Sequence, residues 1–299
     1  MERFIDPRTL ARVKDLPLIA KTVADGFLHG IQQSHQRGIG VEFSQYRQYE
    51  PGDPLSRIDW KLFARSDRYF VREAQRESEI IMWFVLDMSA SMQQVSEASP
   101  PGWSKFEYAQ HLIATLAYIG QKQGDNVGFI ALGGDQQKLL PPGSGEPHWH
   151  RLLKMLVNLK STGTFPDSVL IKSAIDRLQK NSLVFIISDF YQLYEELDEF
   201  VNQVAAGHNE VVALQLQCED ELSFPYKGAI RFEDLETREQ VLVSASSARD
   251  IWLKALKKHH KKLLKFMRQR QVSLRTIDID RPMDQALHDF LISRQKVRS

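Results

Sequence analysis

From residue 79 onward, apolar blocks of strand length alternate with amphipathic stretches of helical period. Ile80-Ile81-Met82-Trp83-Phe84-Val85-Leu86 and Leu183-Val184-Phe185-Ile186-Ile187 are apolar at every position, as central parallel strands covered by helices on both faces must be. Residues 126–132, 211–216 and 272–279 predict three further strands. Between these blocks, the spacing predicts helices over 105–123, 147–159, 167–179 and 194–204, and a basic helix over 248–270. Pro141-Pro142-Gly143 predicts a turn, and residues 219–246 predict turns and a hairpin. Strands alternating with helices predict an α/β fold with a doubly wound, mainly parallel sheet. Ligands of such sheets bind beyond the carboxyl ends of the strands.

The first 78 residues follow a different pattern. Leu10, Val13, Leu16, Ile19, Val23, Phe27 and Ile31 recur at helical spacing, interrupted by Pro17, which predicts one or two helices over 8–36. A stretch dense in Arg, Asp, Tyr and Trp follows, with the turn Pro51-Gly52-Asp53 and extended patterning at Tyr69-Phe70-Val71-Arg72-Glu73. The expected organisation is therefore an appendage of helices and strands over 1–78 and the α/β domain over 79–299. A chain of 299 residues is long enough for two packing units.

Charge and composition narrow the function classes. Lys and Arg total 39 against 38 Asp and Glu, so the overall basic excess of a dedicated nucleic-acid binder is missing. The one cysteine, Cys218, excludes an internal disulfide and a multi-cysteine zinc site, and a small buried hydrophobe is its expected role. No run approaches the roughly 18 to 20 apolar residues that span a bilayer. The first 21 residues also lack the continuous apolar stretch of a signal peptide. A cytoplasmic protein is expected, touching membranes only peripherally or through a partner.

Candidate chemistry gathers at two strand ends. Asp87-Met88-Ser89-Ala90-Ser91 places a carboxylate and two hydroxyls, spaced by two, just past the first apolar strand. Asp189 ends the second apolar strand, and Thr164 lies in the turn Thr162-Gly163-Thr164 before a helix. These five side chains offer only hard oxygens, a set suited to Mg²⁺ or Mn²⁺ with an open position. An aspartyl phosphatase would need a second carboxylate at position 89 as its acid and base, and Ser89 stands there. No Gly-x-x-x-x-Gly-Lys-Ser/Thr loop is present, so nucleotide chemistry has no cradle. His148 and His150 are expected at a helix start, where residues two apart do not share a face. The lysine-rich run 254–265 is expected to expose its charges to solvent; a lipid or nucleic-acid tether is the alternative.

Taken jointly, Asp-x-Ser-x-Ser, Gly-Thr and the strand ending in Asp form a metal-ion-dependent adhesion pattern. The chain resembles the von Willebrand factor A fold over about residues 79–280. Ahead of it, Arg47-Gln48-Tyr49-Glu50-Pro51-Gly52-Asp53, Arg57-Ile58-Asp59-Trp60 and Ala64-Arg65 resemble the signature of domain-of-unknown-function family 58. The segments around Phe224-Pro225-Tyr226-Lys227-Gly228 and Asp234-Leu235-Glu236-Thr237 are similar to the same family. The resemblance implies Ser89, Ser91 and Thr164 near the ion, with Asp87 and Asp189 acting directly or through water. It also implies a protein-binding adaptor beside a MoxR-type AAA+ ATPase and other A-domain proteins, with no catalysis of its own. Arg47, Asp53, Arg57, Asp59, Trp60 and Arg65 are candidates for a partner surface, or for ion pairs that clamp the appendage.

Overall fold

The computed structural model describes residues 16–24, 45–49, 60–66, 68–73, 80–96, 102–133, 136–166, 168–192 and 194–287. The chain divides into two compact units, one of residues 29–79 and one of residues 1–28 with 80–299. This division differs from the expected 1–78 and 79–299, because helix α1 (residues 16–24) groups with the sheet-bearing unit. Leu16, Ile19, Ala20 and Val23 are buried at helical spacing, and Pro17 lies within the helical residues. The Lys21 ammonium lies 5.2 Å from the centre of the Trp149 ring.

In the smaller unit, β1 (Gln45–Gln48) and β2 (Phe70–Glu73) pair antiparallel, with α2 (Trp60–Ser66) between them in sequence. Phe63 stacks on Tyr69 with ring centroids 4.5 Å apart and meets Trp60 edge-on at 6.2 Å. Such pairs add stability beyond their buried area.

The larger unit is built on β3 (Ile81–Asp87), followed by α3 (Lys105–Gln123), β4 (Asn126–Gly133), β5 (Gln136–Gly143) and α4 (Glu146–Asn158). Then come α5 (Ser168–Ile175), β6 (Leu183–Ser188), α6 (Tyr194–Ala206), β7 (Glu210–Gln217) and α7 (Glu219–Ser223). A hairpin of β8 (Ala229–Glu233) and β9 (Gln240–Ser244), the long α8 (Ala245–Gln269) and β10 (Ser273–Asp278) complete it. The six-stranded sheet has the order β10-β7-β6-β3-β4-β5, all pairs parallel except β4 with β5. Counted from β3 as the first strand, this is the 3-2-1-4-5-6 order of a doubly wound fold.

Both faces of β3 are buried, and its side chains alternate between them. Trp83 and Val85 join Val184, Ile186 and Ala213 in one core with residues from α5, α6 and α8. On neighbouring strands, Phe84 and Phe185 stack at 5.2 Å. A Cβ on Gly128 of β4 would lie 2.5 Å from the Trp83 ring, so only glycine lets this indole lie flat on the sheet. Helix α3 begins with a capping box: Ser104 Oγ accepts the Glu107 N–H at 3.1 Å, and the Glu107 carboxylate accepts the Ser104 N–H at 3.0 Å. It ends at Gly124 in the left-handed region, with φ 84°. Ser104→Ala is expected to destabilise the protein by about 1 kcal/mol, measured by urea unfolding.

Three expectations need correction. The stretch around Pro141-Pro142 is not a turn but part of β5, an antiparallel strand. Proline survives there because β5 is an edge, where missing N–H groups leave few ladder bonds unmade. Residues 219–223 form the short α7 rather than a turn, and α5 stops at Ile175, four residues short of the expected end.

Candidate metal centre

The crevice between β3 and β6 is the point where the sheet changes its winding direction, the place where doubly wound folds bind ligands. These strands pair in register up to Leu86 opposite Ile187, so Asp87 and Ser188-Asp189 emerge side by side at their carboxyl ends. Asp87 is nearly fully buried. Its Oδ1 accepts the Ser89 N–H at 2.8 Å, and its Oδ2 accepts the Ser188 hydroxyl at 2.6 Å and the Gln192 amide at 2.5 Å. The Ser89 and Ser91 hydroxyl oxygens are 3.0 Å apart at the start of a 3₁₀ turn over Ala90–Gln93.

The Thr162-Gly163-Thr164 loop is sewn to this turn. Thr162 N–H donates to the Met88 carbonyl and Ala90 N–H to the Gly163 carbonyl, each at 2.8 Å. The Ser161 hydroxyl donates to the Ser89 carbonyl, and the Gln93 amide to the Ser161 carbonyl. Gly163 takes φ 75°, which allows this reverse without strain. Thr164, the next residue, is exposed.

Several residues that sequence reasoning missed surround the motif. Lys105 is fully buried at the start of α3, with Nζ 2.7 Å from Glu221 Oε1 and 3.4 Å from Asp189 Oδ2. Burial alone would lower this ammonium, but the charges of Asp189 and Glu221 outweigh it and hold the lysine above its ordinary value. For Asp87, burial first and the Asp189 charge second raise the carboxyl to about 7, against the hydrogen bonds it accepts. Glu236, in the turn between β8 and β9, reaches back toward Ser91 and Ser89. Half-burial, then Asp189 and Asp234, push its carboxyl above the usual range. No local signal announces these neighbours, because Lys105 and Glu221 are 116 residues apart.

The donor set fits a small, hard divalent ion in part. The Ser89 and Ser91 hydroxyls lie beside the Asp87 carboxylate, with Asp189 at the end of the neighbouring strand, and Gln192 Oε1 is a buried acceptor that meets no hydrogen-bond donor among the described residues. Three or more carboxylates, imidazoles or thiolates close enough to hold a metal by themselves do not occur among the described residues. An ion here would therefore depend on the serine hydroxyls and water for most of its shell.

Comparison with known proteins places the chain. Residues 45–262 match the family described as "Protein of unknown function DUF58". The chain belongs to the DUF58 family. Its larger unit carries a doubly wound α/β fold, with the strand order set around β3. This DUF58 chain is 26% identical over 295 residues to the uncharacterized protein Rv1480 of Mycobacterium tuberculosis, covering 97% of this chain and 91% of the relative. Uncharacterized protein YeaD of Bacillus subtilis is 24% identical over 127 residues, 42% of this chain and 28% of YeaD. Among solved structures, the conserved hypothetical protein BatB of Bacteroides thetaiotaomicron aligns with TM-score 0.45 and 15% identity over 73% of this chain and 99% of BatB. The SpRpn10 VWA domain aligns with TM-score 0.38 and 10% identity over 70% of this chain and 94% of that domain.

Of the DUF58 signature residues, Arg47 lies in β1, while Trp60 and Arg65 are exposed on α2. Asp53, Arg57 and Asp59 lie outside the described residues. His148 and His150 sit in the first turn of α4, and the His148 ring is tied to the Val127 carbonyl at 2.7 Å. Cys218 is buried, and burial pushes its thiol up, away from the reactive thiolate. Lys254, Lys257, Lys258, Lys261 and Lys265 are exposed along α8, whose Leu263 and Met267 are buried. No helix of the described residues is long and apolar enough to cross a membrane.

Proposed function

We propose that this chain is a non-catalytic adaptor that grips an acidic side chain of a partner protein through Mg²⁺ or Mn²⁺. Asp87, Ser89, Ser91 and Asp189 would hold the ion, with Thr164 beside it. The observation that carries this reading is the Ser89–Ser91 hydroxyl pair, 3.0 Å apart beside the buried Asp87 at the switch point of the sheet. Bound there, the ion supplies a positive centre with a vacant position for a partner's carboxylate. Asp87 orients the Ser89 backbone through its Oδ1, and the sewn 161–163 loop holds the serine turn rigid. The protein partner to which the family resemblance points is a MoxR-type AAA+ ATPase, with other A-domain or client proteins.

Asp87→Ala is expected to weaken Mg²⁺ or Mn²⁺ binding at least tenfold, roughly 1.4 kcal/mol, in a calorimetric titration. The complex with the ATPase or client is expected to form in Mg²⁺ and weaken in chelator. Hydrolysis of ATP or of phosphomonoesters should stay at background, because Ser89 cannot carry the proton that a phosphatase needs. Equal metal affinity of wild type and variant removes the site from this loop. Metal-dependent phosphatase activity lost in Asp87→Asn overturns the adaptor reading.

A further inference from the structure

A groove of 1070 Å³ runs from the serine turn along the β8–β9 hairpin to the first turns of α8. Its size is that of a site for several side chains rather than for one ion. The floor is aromatic: Phe224 lies 5.1 Å from Tyr226, 5.8 Å from Phe232 and 6.4 Å from Trp252, measured between ring centres. Around it Val95, Val241 and Ile251 are exposed, large hydrophobic residues without cover from the described chain.

The walls carry one sign of charge. Seven lining residues are carboxylates, among them Glu233, Asp234, Glu236 and Glu239 of the hairpin, and no lining residue is basic. Two cations outside the lining offset part of this: Lys105 pairs with Glu221 and Asp189 beneath, and Arg238 pairs with Glu233 at 3.0 Å on the rim. The remainder is net negative in a chain whose formal charge is +1, so the acidity is local rather than general.

We propose that this groove docks a cationic amphipathic segment of a partner protein, with lysine or arginine against the carboxylates and apolar side chains on the aromatic floor. Aromatic faces beneath carboxylates suit such cations twice, through ring quadrupoles and through ion pairs. Anionic polymers and lipid headgroups are repelled by the same walls. Because Ser91, Asp189 and Gln192 also line the groove, a segment anchored at the serine turn would run its flanking basic residues through it. This extends the adaptor reading by naming its partner's chemistry, but the groove itself needs no ion.

The test uses the full chain and two labelled twelve-residue peptides, one alternating Lys with Leu and Phe, the other with Glu in place of each Lys, read by fluorescence anisotropy. The basic peptide is expected to bind wild type, to weaken steeply as salt rises, and to lose about fivefold in affinity to Glu233→Gln/Glu239→Gln. Trp252→Phe should keep binding and Trp252→Ala should weaken it, with circular dichroism confirming both folds. Chelator is expected to leave this peptide's affinity unchanged, which separates the groove from the metal reading. Equal binding of both peptides, or indifference to the glutamine variants and to Trp252→Ala, overturns the proposal even where the metal site stands. Self-association in light scattering that the glutamine variants abolish would assign the groove to a second copy and likewise overturn it.

Discussion

Lys105→Met is expected to destabilise the protein by about 3–5 kcal/mol, read as a lower urea midpoint at unchanged slope. The side chain is fully buried, and its ammonium is the cation between Glu221 and Asp189. Removing it leaves two carboxylates buried without compensation, which costs far more than the net worth of the ion pair. Glu221 cannot simply turn outward, since its other oxygen accepts the Cys218 N–H at 3.0 Å. A second change discriminates the mechanism: Lys105→Met/Glu221→Gln should recover part of the loss, because it removes one of the stranded charges. Failure of the double variant to recover any stability would mean that Lys105 acts through packing instead.

The second large effect concerns Asp87 and changes sign with the ion. Its carboxyl, about 7 in the fold, stands above the ordinary value of 3.8. The folded state therefore binds this proton more tightly than the unfolded chain. The resulting stabilisation is complete below the unfolded value and is lost as pH rises through about 7. In chelator, stability from this group should fall by about 3 kcal/mol between pH 5 and 8. Asp87→Asn should abolish that slope and raise the melting temperature of the metal-free protein at pH 8. The amide fits, because its oxygen keeps the Ser89 N–H while its nitrogen meets the Ser188 hydroxyl and a rotated Gln192, whose Oε1 gains a donor. The same variant loses metal binding, so in excess Mg²⁺ wild type should be the more stable at high pH. A melting temperature of Asp87→Asn equal to or below wild type in chelator at pH 8 would refute the buried-charge account.

Much of this arrangement was legible in the residue pattern, for a physical reason. Strands buried on both faces have to be apolar throughout, so β3 and β6 declare themselves, and a polar group at their ends stands out. Asp87 and Asp189 stand out that way, and the paired strands bring Leu86 opposite Ile187 just before them. Pairings between distant segments leave no such trace. Lys105 follows the capping Ser104 and resembles any solvent-facing lysine of a first helical turn, yet the fold closes Glu221 and Asp189 around it. Gln192 is an ordinary polar residue of a loop until the neighbouring elements are placed, and Glu236, within the family-like segment 234–237, carries no sign of its place beside the serine turn. Pro141-Pro142 misled in the opposite direction, because local turn chemistry outweighs strand pattern in a sequence but not at a sheet edge.

That edge also bears on aggregation. An outermost strand normally offers a ladder of unpaired amides onto which a second molecule can add its own strand. In β5 two consecutive residues have no amide hydrogen to offer, and the register slips opposite Val127 and Phe129 as the strand passes through them. A copy of this protein arriving at that side finds a broken template. Intermolecular sheet extension is hindered at the Pro141-Pro142 end of β5, which lowers the tendency of this edge to seed cross-β fibres at high concentration.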